Sequence, residues 1–288
     1  LKRDNDQLSL LKRIRDNTDL FVIDEAHRSL ATEWNKAITY FIDNKTTQLI
    51  GLTATPGLGV NDVDNEHLSV FFNQIKLNLT DKEQLPIDNA IGYLREKEYL
   101  AEIESIEKFT DYELNLSADE LERIKKYGDD VIQAALNDAS INPQRNNILI
   151  DAIRDEYLNN KKVLVFACSL KHCIIIQALL NSHNIHSESI TSETKGSRNR
   201  ILDEFKNGEL NILINFGVLT TGFDAPKLNT VIIARPTFSI VLYSQMVGRA
   251  LRGPNNKGNK KNKLITLKDN LSHGNVDELF KKFESVWK

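Results

Sequence analysis

Cysteine is nearly absent: the 288 residues hold two, Cys168 and Cys173, with four residues between them and no second pair. That excludes a disulfide framework and a zinc site of the paired-cysteine kind, and both read as core thiols in a reducing compartment. Long apolar runs are absent as well. None reaches the roughly 18 residues that a membrane-spanning helix needs, and the opening LKRDNDQLSL has no signal-sequence pattern, so a cytoplasmic protein with no membrane partner is expected. Charge of one sign is also lacking: 37 Lys and Arg stand against 40 Asp and Glu, a net of -3. The chain as a whole has no attraction for a polyanion, and any such ligand must find a local groove or loop. The first residue is Leu rather than Met, as a fragment of a longer chain would show.

What is present is an ordinary soluble composition, 41% hydrophobic and 27% charged, enough for two compact domains of about 140 residues. Short apolar runs alternate with amphipathic segments. LFVID (20–24) and TQLIGLTA (47–54) read as buried strands, and ATEWNKAITYFID (31–43) places Trp34, Ile38 and Ile42 on one helical face. A third apolar segment, FNQIKLNLT (72–80), follows the loop PGLGVNDVDNEH. From Asp81 the chain turns more charged and helical, and SADELERIKKYGDDVIQAALNDA (117–139) opens on a Ser-x-x-Glu capping box. From Lys161 the alternation resumes, with KVLVFA, HSESIT, LNILINF, NTVIIAR and KLITLKD as strands and LKHCIIIQALLNSHN and SRNRILDEFKNG as helices. Strands separated by helices of that length make a mostly parallel sheet covered on both faces. The predicted organisation is α/β: part of a first domain over 1–80, a connector with helical content over 81–145, and a complete second domain over 146–288.

In open parallel sheets ligands collect beyond the carboxyl ends of the strands. Asp24 and Glu25 follow the first strand, Thr53 and Thr55 of TATPG the second, and Thr220, Thr221, Gly222 and Asp224 of FGVLTTGFDAP a strand of the second domain. Charged residues at a strand end are commonplace, so LFVIDEAHR alone fits a solvated loop as well as a site; three such loops together are less readily a coincidence. SIVLYSQMVGRALRGP (239–254) reads as one helix closed by Gly253-Pro254, and Gln245, Arg249 and Arg252 fall at i, i+4 and i+7 on a single face. Two guanidinium forks beside a glutamine suit a phosphate; the bland reading is a solvated helix face.

Taken in order, VIDEAH, GLTATP, GVLTTGFDAP and QMVGRALR resemble motifs II, III, V and VI of superfamily 2 helicases. Within that superfamily the chain is similar to the DEAH-type bacterial and phage helicase-like ATPases related to restriction-enzyme motor subunits. The resemblance covers almost the whole chain and implies tandem RecA-like parallel-sheet domains, the first incomplete, joined by a helical connector. It implies ATP and Mg²⁺ as cofactors, with Asp24 helping to hold the metal and Glu25 activating the attacking water. His27 would link this loop to motif VI through Gln245, while Arg249 and Arg252 match the arginine fingers. Thr53 and Thr55 would couple the ATP site to strand binding. Thr220 and Thr221 match residues near the nucleic-acid backbone, and Gly222 and Asp224 stand on the ATP side of that motif.

Beyond the resemblance, Thr191, Lys195 and Arg198 of TSETKGSR are candidate phosphate contacts. The run NNKGNKKNK (255–263) reads as a flexible basic loop, better explained as solvated than as binding. Trp34 and Trp287 have no basic residues interleaved and read as core or helix packing. One departure from the family stands out: no Gly-x-x-x-x-Gly-Lys-[Ser/Thr] occurs, and PGLGVND lacks the lysine. Truncation explains this better than natural loss, because the downstream motifs keep their chemistry. No nuclease signature is visible. The expectation is an ATP-dependent helicase or translocase on nucleic acid, DNA favoured over RNA, alongside other subunits of a restriction, repair or defence complex, with this chain inactive alone. The alternative is a degenerate helicase-like module that binds nucleic acid or a partner without turning over nucleotide.

Overall fold

The computed structural model describes residues 2–42, 47–57, 62–114, 116–127, 133–218, 225 and 227–269. They fall into two compact units, one up to Leu77 and one from Asn78. The first runs α1 (Lys2–Asp16), β1 (Leu20–Asp24), a 3-10 turn Ala26–Arg28, α2 (Thr32–Ile42), β2 (Gln48–Leu52) and α3 (Asp62–Phe71). β1 and β2 pair in parallel with Ile23 opposite Gly51, and Ile23, Ala26 and Ile38 form the core, flanked by Phe21, Leu49 and Phe72. Neither outer edge of this pair has a strand partner among the described residues, and Leu20, Val22 and Leu52 stay about half exposed at 48%, 49% and 52%. An apolar groove of 690 Å³ lies along β2, lined in part by Leu49, Leu52, Leu68, Phe72 and Leu77.

Three local expectations change. The stretch read as the loop PGLGVNDVDNEH already contains the start of α3. The segment 72–80 is not a strand; only Thr80 makes an isolated bridge, to Pro86. Of the predicted face of α2, Ile38 is buried at 1% but Trp34 is 53% exposed. Trp287 lies outside the described residues.

The second unit contains α4 (Ala90–Glu96), β3 (Glu102–Phe109), α5 (Ala118–Tyr127), α6 (Gln133–Ile141), α7 (Pro143–Leu158), β4 (Val163–Phe166), α8 (Leu170–Ser182), β5 (Glu188–Ile190), α9 (Arg198–Asn207), β6 (Ile212–Asn215), β7 (Thr230–Ile233), α10 (Ile240–Gly248) and β8 (Lys261–Lys268). Among the described residues its six strands are all parallel, in the order β3-β8-β7-β4-β6-β5. β4, β6 and β7 are buried at every residue, which is why they read as unbroken apolar runs. Val163, Val165, Ile212, Ile214 and Ile232 alternate onto one face and meet Ile153 of α7 and Ile176 of α8. The chain moves from β4 outward through α8 and then back through α9 and α10, so right-handed crossovers set those last two on the opposite face. The predicted capping box is present: Ser117 N–H donates to Glu120 Oε2 at 2.7 Å and Glu120 N–H to Ser117 Oγ at 3.3 Å.

The segment 81–145, read as a connector, supplies the edge strand of this sheet. β3 pairs with β8 along all eight of its residues. Its signature is weak because acids interrupt it, and two of its three acids are matched by β8: Lys261 Nζ lies 3.3 Å from Glu104 and Lys268 Nζ 2.6 Å from Glu107. An edge strand in a charged coat resists pairing with a second molecule.

At the carboxyl ends the chain leaves β4 toward one face and β7 toward the other, the switch point where such sheets commonly bind ligands. Here a buried network spans the strand ends. Arg145 of α7, 1% exposed, donates to the Ala234 carbonyl beyond β7, lies 3.7 Å from Cys168 Sγ beyond β4, and pairs with Asp269 beyond β8 at 2.9 Å. Thr110, beyond β3, donates to the same carboxylate at 2.6 Å. Cys168 and Cys173 are both free and buried, as expected of core thiols.

Candidate functional site

β1 delivers Asp24 to its carboxyl end, where the chain reverses at once. Glu25 takes a left-handed conformation, φ 54° and ψ 46°, which costs a non-glycine residue on the order of 1 kcal/mol. Asp24 Oδ1 accepts the Glu25 N–H at 2.9 Å and braces the reversal. Asp24 remains exposed, a carboxylate of the kind a hard cation such as Mg²⁺ takes as an oxygen ligand.

The 3-10 turn then buries Ala26 and His27. His27 Nδ1 lies 3.0 Å from Thr53 Oγ1 and 3.4 Å from Glu25 Oε2. The Thr53 hydroxyl donates to the Thr55 carbonyl and accepts the Thr55 N–H, each at 3.1 Å. Its one proton is thereby used, so Nδ1 carries the hydrogen of the His27–Thr53 bond, and the Glu25 carboxylate favours the same tautomer. Burial lowers the His27 pKa, with Glu25 opposing and Arg28 adding to the effect, and the ring is neutral at pH 7. Gly51 permits the arrangement: a Cβ there would stand 2.7 Å from Ala26 Cβ and from the Phe72 ring. His27, Thr53 and the buried Thr55 thus form one hydrogen-bonded chain across the ends of β1 and β2, with the Glu25 carboxylate beside the ring.

The remaining predicted residues belong to the second unit. Gln245 is partly buried on α10, and Arg249 is its C-cap, with its N–H on the Met246 carbonyl at 3.2 Å. Arg252 is off the helix, which ends at Gly248, and forms an antiparallel bridge with Leu100. The single helical face predicted for Gln245, Arg249 and Arg252 therefore fails at its last member, because tight turns at Ala250 and Leu251 end the helix and residues 99–101 take up the backbone beyond it. Arg252 lies by the amino ends of β3 and β8. Thr191 is 7% exposed, and its hydroxyl accepts the Glu193 N–H at 3.2 Å, so it shapes the turn after β5 instead of facing outward. Lys195 is exposed and Arg198, partly buried, opens α9. Thr220, Thr221, Gly222 and Asp224 lie outside the described residues.

Two family matches meet this geometry: residues 144–254 match the helicase conserved C-terminal domain, and residues 2–58 match the type III restriction enzyme, res subunit. The chain is a superfamily 2 helicase-like protein. This helicase-like chain is 28% identical over 254 residues to "Putative ATP-dependent helicase IRC3" of Saccharomyces cerevisiae, covering 85% of the chain and 34% of that protein. It is 25% identical over 258 residues to "Putative helicase 22" of a Sulfolobus islandicus filamentous virus, covering 89% and 44%. The chain spans a third to a half of the length of these curated relatives. Among solved structures it is similar to "a putative HsdR subunit of a type I restriction enzyme from Vibrio vulnificus", with a TM-score of 0.59, 22% identity, and 90% of this chain and 45% of that one covered. The Pyrococcus furiosus Hef helicase domain gives 0.51 at 15% identity, covering 96% and 77%. These likenesses establish the RecA-like α/β fold of the helicase-like chain.

Proposed function

We propose that this chain is motor sequence of an ATP-dependent nucleic-acid helicase or translocase acting on DNA. The observation that carries the proposal is the bonded chain His27–Thr53–Thr55 with the Glu25 carboxylate 3.4 Å from the same His27 nitrogen, which brings motif II against motif III. In this reading Asp24 holds Mg²⁺ through its exposed carboxylate, and Glu25 accepts a proton from the attacking water. Bound Mg²⁺·ATP supplies the phosphoryl group whose transfer to water drives the cycle. His27, neutral and donating from Nδ1, relays the position of Glu25 to Thr53 and so to the loop that contacts the strand. Arg249 and Arg252 neutralise charge developing on the phosphate, with Gln245, Gly222 and Asp224 completing the nucleotide contacts. Thr220, Thr221, Lys195 and Arg198 contact the strand, Thr191 serving as the brace of its turn. No phosphate loop lies within the 288 residues, so turnover belongs to the full-length protein and not to this chain alone. The match to a restriction-enzyme res subunit supports DNA as the polymer and a restriction or defence complex as the setting.

The test is the ATPase activity of the full-length protein with DNA and with RNA, beside Glu25→Gln and Arg249→Ala. Stimulation by DNA, reduced by about two orders of magnitude or more in both variants, is expected. A well-folded full-length protein that binds DNA yet shows no turnover would instead be a binding module.

A further inference from the structure

The run that reads as a flexible basic loop after motif VI is an ordered clasp. Asn255 Nδ2 donates to the Lys97 carbonyl at 2.7 Å, Asn256 Nδ2 to the Tyr99 carbonyl at 2.9 Å, and Asn262 Nδ2 to the Ala250 carbonyl at 2.7 Å. Backbone bonds alternate with these: Ala101 N–H to Leu251 at 2.8 Å, Gly253 N–H to Tyr99 at 3.1 Å and Asn255 N–H to Glu98 at 3.0 Å. Residues 97–101, a strap leading into β3, are thereby laced to 250–255. Carboxamides suit this task, since each offers a donor to a carbonyl without a charge to desolvate. Asn262, only 4% exposed, could not be lysine at that cost.

Two glycines allow the close approach. A Cβ on Gly253 would lie 2.4 Å from the Glu98 carbonyl oxygen, and one on Gly258 would lie 2.1 Å from the Arg252 carbonyl oxygen and 2.8 Å from Arg252 Cγ. Gly258 therefore touches both the backbone and the side-chain stem of Arg252. We propose that Asn255, Asn256, Asn262 and Gly258 are positioning residues for Arg252: Asn255 and Asn256 tie the chain after it to the 97–101 strap, Asn262 fixes the Ala250 carbonyl before it, and Gly258 lies against its stem. The inference rests on the reading of that arginine as a group that neutralises phosphate charge. A group that stabilises a transition state loses effect steeply when displaced, about a hundredfold for 1 Å, and the helix ends too early to hold Arg252 itself.

The test uses Asn256→Ala and Gly258→Ala, with Lys257→Asn as a control that removes a charge of the same run while tolerating its positive φ of 62°. Hydrogen exchange is measured on the 288-residue chain, and ATP turnover on the full-length protein. Faster exchange is expected in both 97–102 and 249–262, with β4 and β6 unchanged, together with a fall in kcat of about tenfold to a hundredfold at unchanged KM for ATP. Lys257→Asn should alter neither. Unchanged exchange in the two variants overturns the clasp, and faster exchange with unchanged kcat overturns its positioning role. Absence of turnover in the wild-type full-length protein would be a failure of the motor reading. The exchange result would then decide the clasp alone, paired loosening upholding the hold on Arg252 and its absence overturning it.

Discussion

His172 shows how one buried side chain sets a pH limit for the second unit. Its Nδ1 accepts the Cys168 N–H at 3.0 Å and its Nε2 lies 3.0 Å from Asn146 Oδ1, so the neutral ring with hydrogen on Nε2 satisfies both partners. Burial, with the Arg145 charge adding to it, lowers its pKa to about 3. The unfolded chain takes up a proton near pH 6.5 and the folded chain does not, so this contribution is complete above pH 6.5 and is lost as pH falls toward 3. Between pH 7 and pH 5 the loss is about 2 kcal/mol. Urea unfolding of the chain at the two pH values, with His172→Asn alongside, reads it: the variant should lose that part of the pH slope, and an identical slope would assign the dependence to other groups.

At the scale of elements, the turn that carries the acids approaches β2 only because β2 has no side chain at Gly51. Gly51→Ala places a methyl group 2.7 Å from Ala26 Cβ and the Phe72 ring, a clash worth about 1–3 kcal/mol in a packed site. Unfolding of the first unit should shift by that amount, and exchange at His27 and Thr53 should quicken. An unshifted transition would mean that the turn and Phe72 move aside freely. Of these elements β1, α2 and β2 were legible as strand, helix and strand by apolar spacing. β3 was not, because an edge strand exposes one side and fills it with charge. The end of α10 was not legible either, since nothing local stops a helix at Gly248; residues 99–101, about 150 positions earlier in the chain, bind the backbone of 251–253 in its place.

At the scale of the molecule, the second unit spans its own switch point with the Arg145–Asp269 pair, which joins the carboxyl ends of β3, β4, β7 and β8 through one buried network. Removing one partner leaves a charge in the core, and Arg145→Ala is expected to destabilise this unit by about 3–5 kcal/mol. Replacing both, as Arg145→Met with Asp269→Leu, should recover at least half of that loss, measured by denaturant unfolding. A double variant as unstable as the single one would show that the Ala234 and Thr110 bonds, and not the charge pair, carry the effect. Arg252 lies away from this network, by the amino ends of β3 and β8.

The amino-acid sequence by itself determined the α/β class, the central strands of the second unit, the capping box at Ser117 and the helicase-like family, because buried parallel strands, caps and motifs are written in contiguous residues. Only the tertiary structure decided that Thr53 is the partner of His27, that Thr191 faces inward, that 81–145 contributes a strand, and that the asparagines after motif VI hold a strap. The first and last of those depend on groups brought together across 26 and 158 positions, and Asn, Glu and Thr are residues whose composition signals a loop or a solvated face equally well until the fold supplies the carbonyl or the hydroxyl they bind.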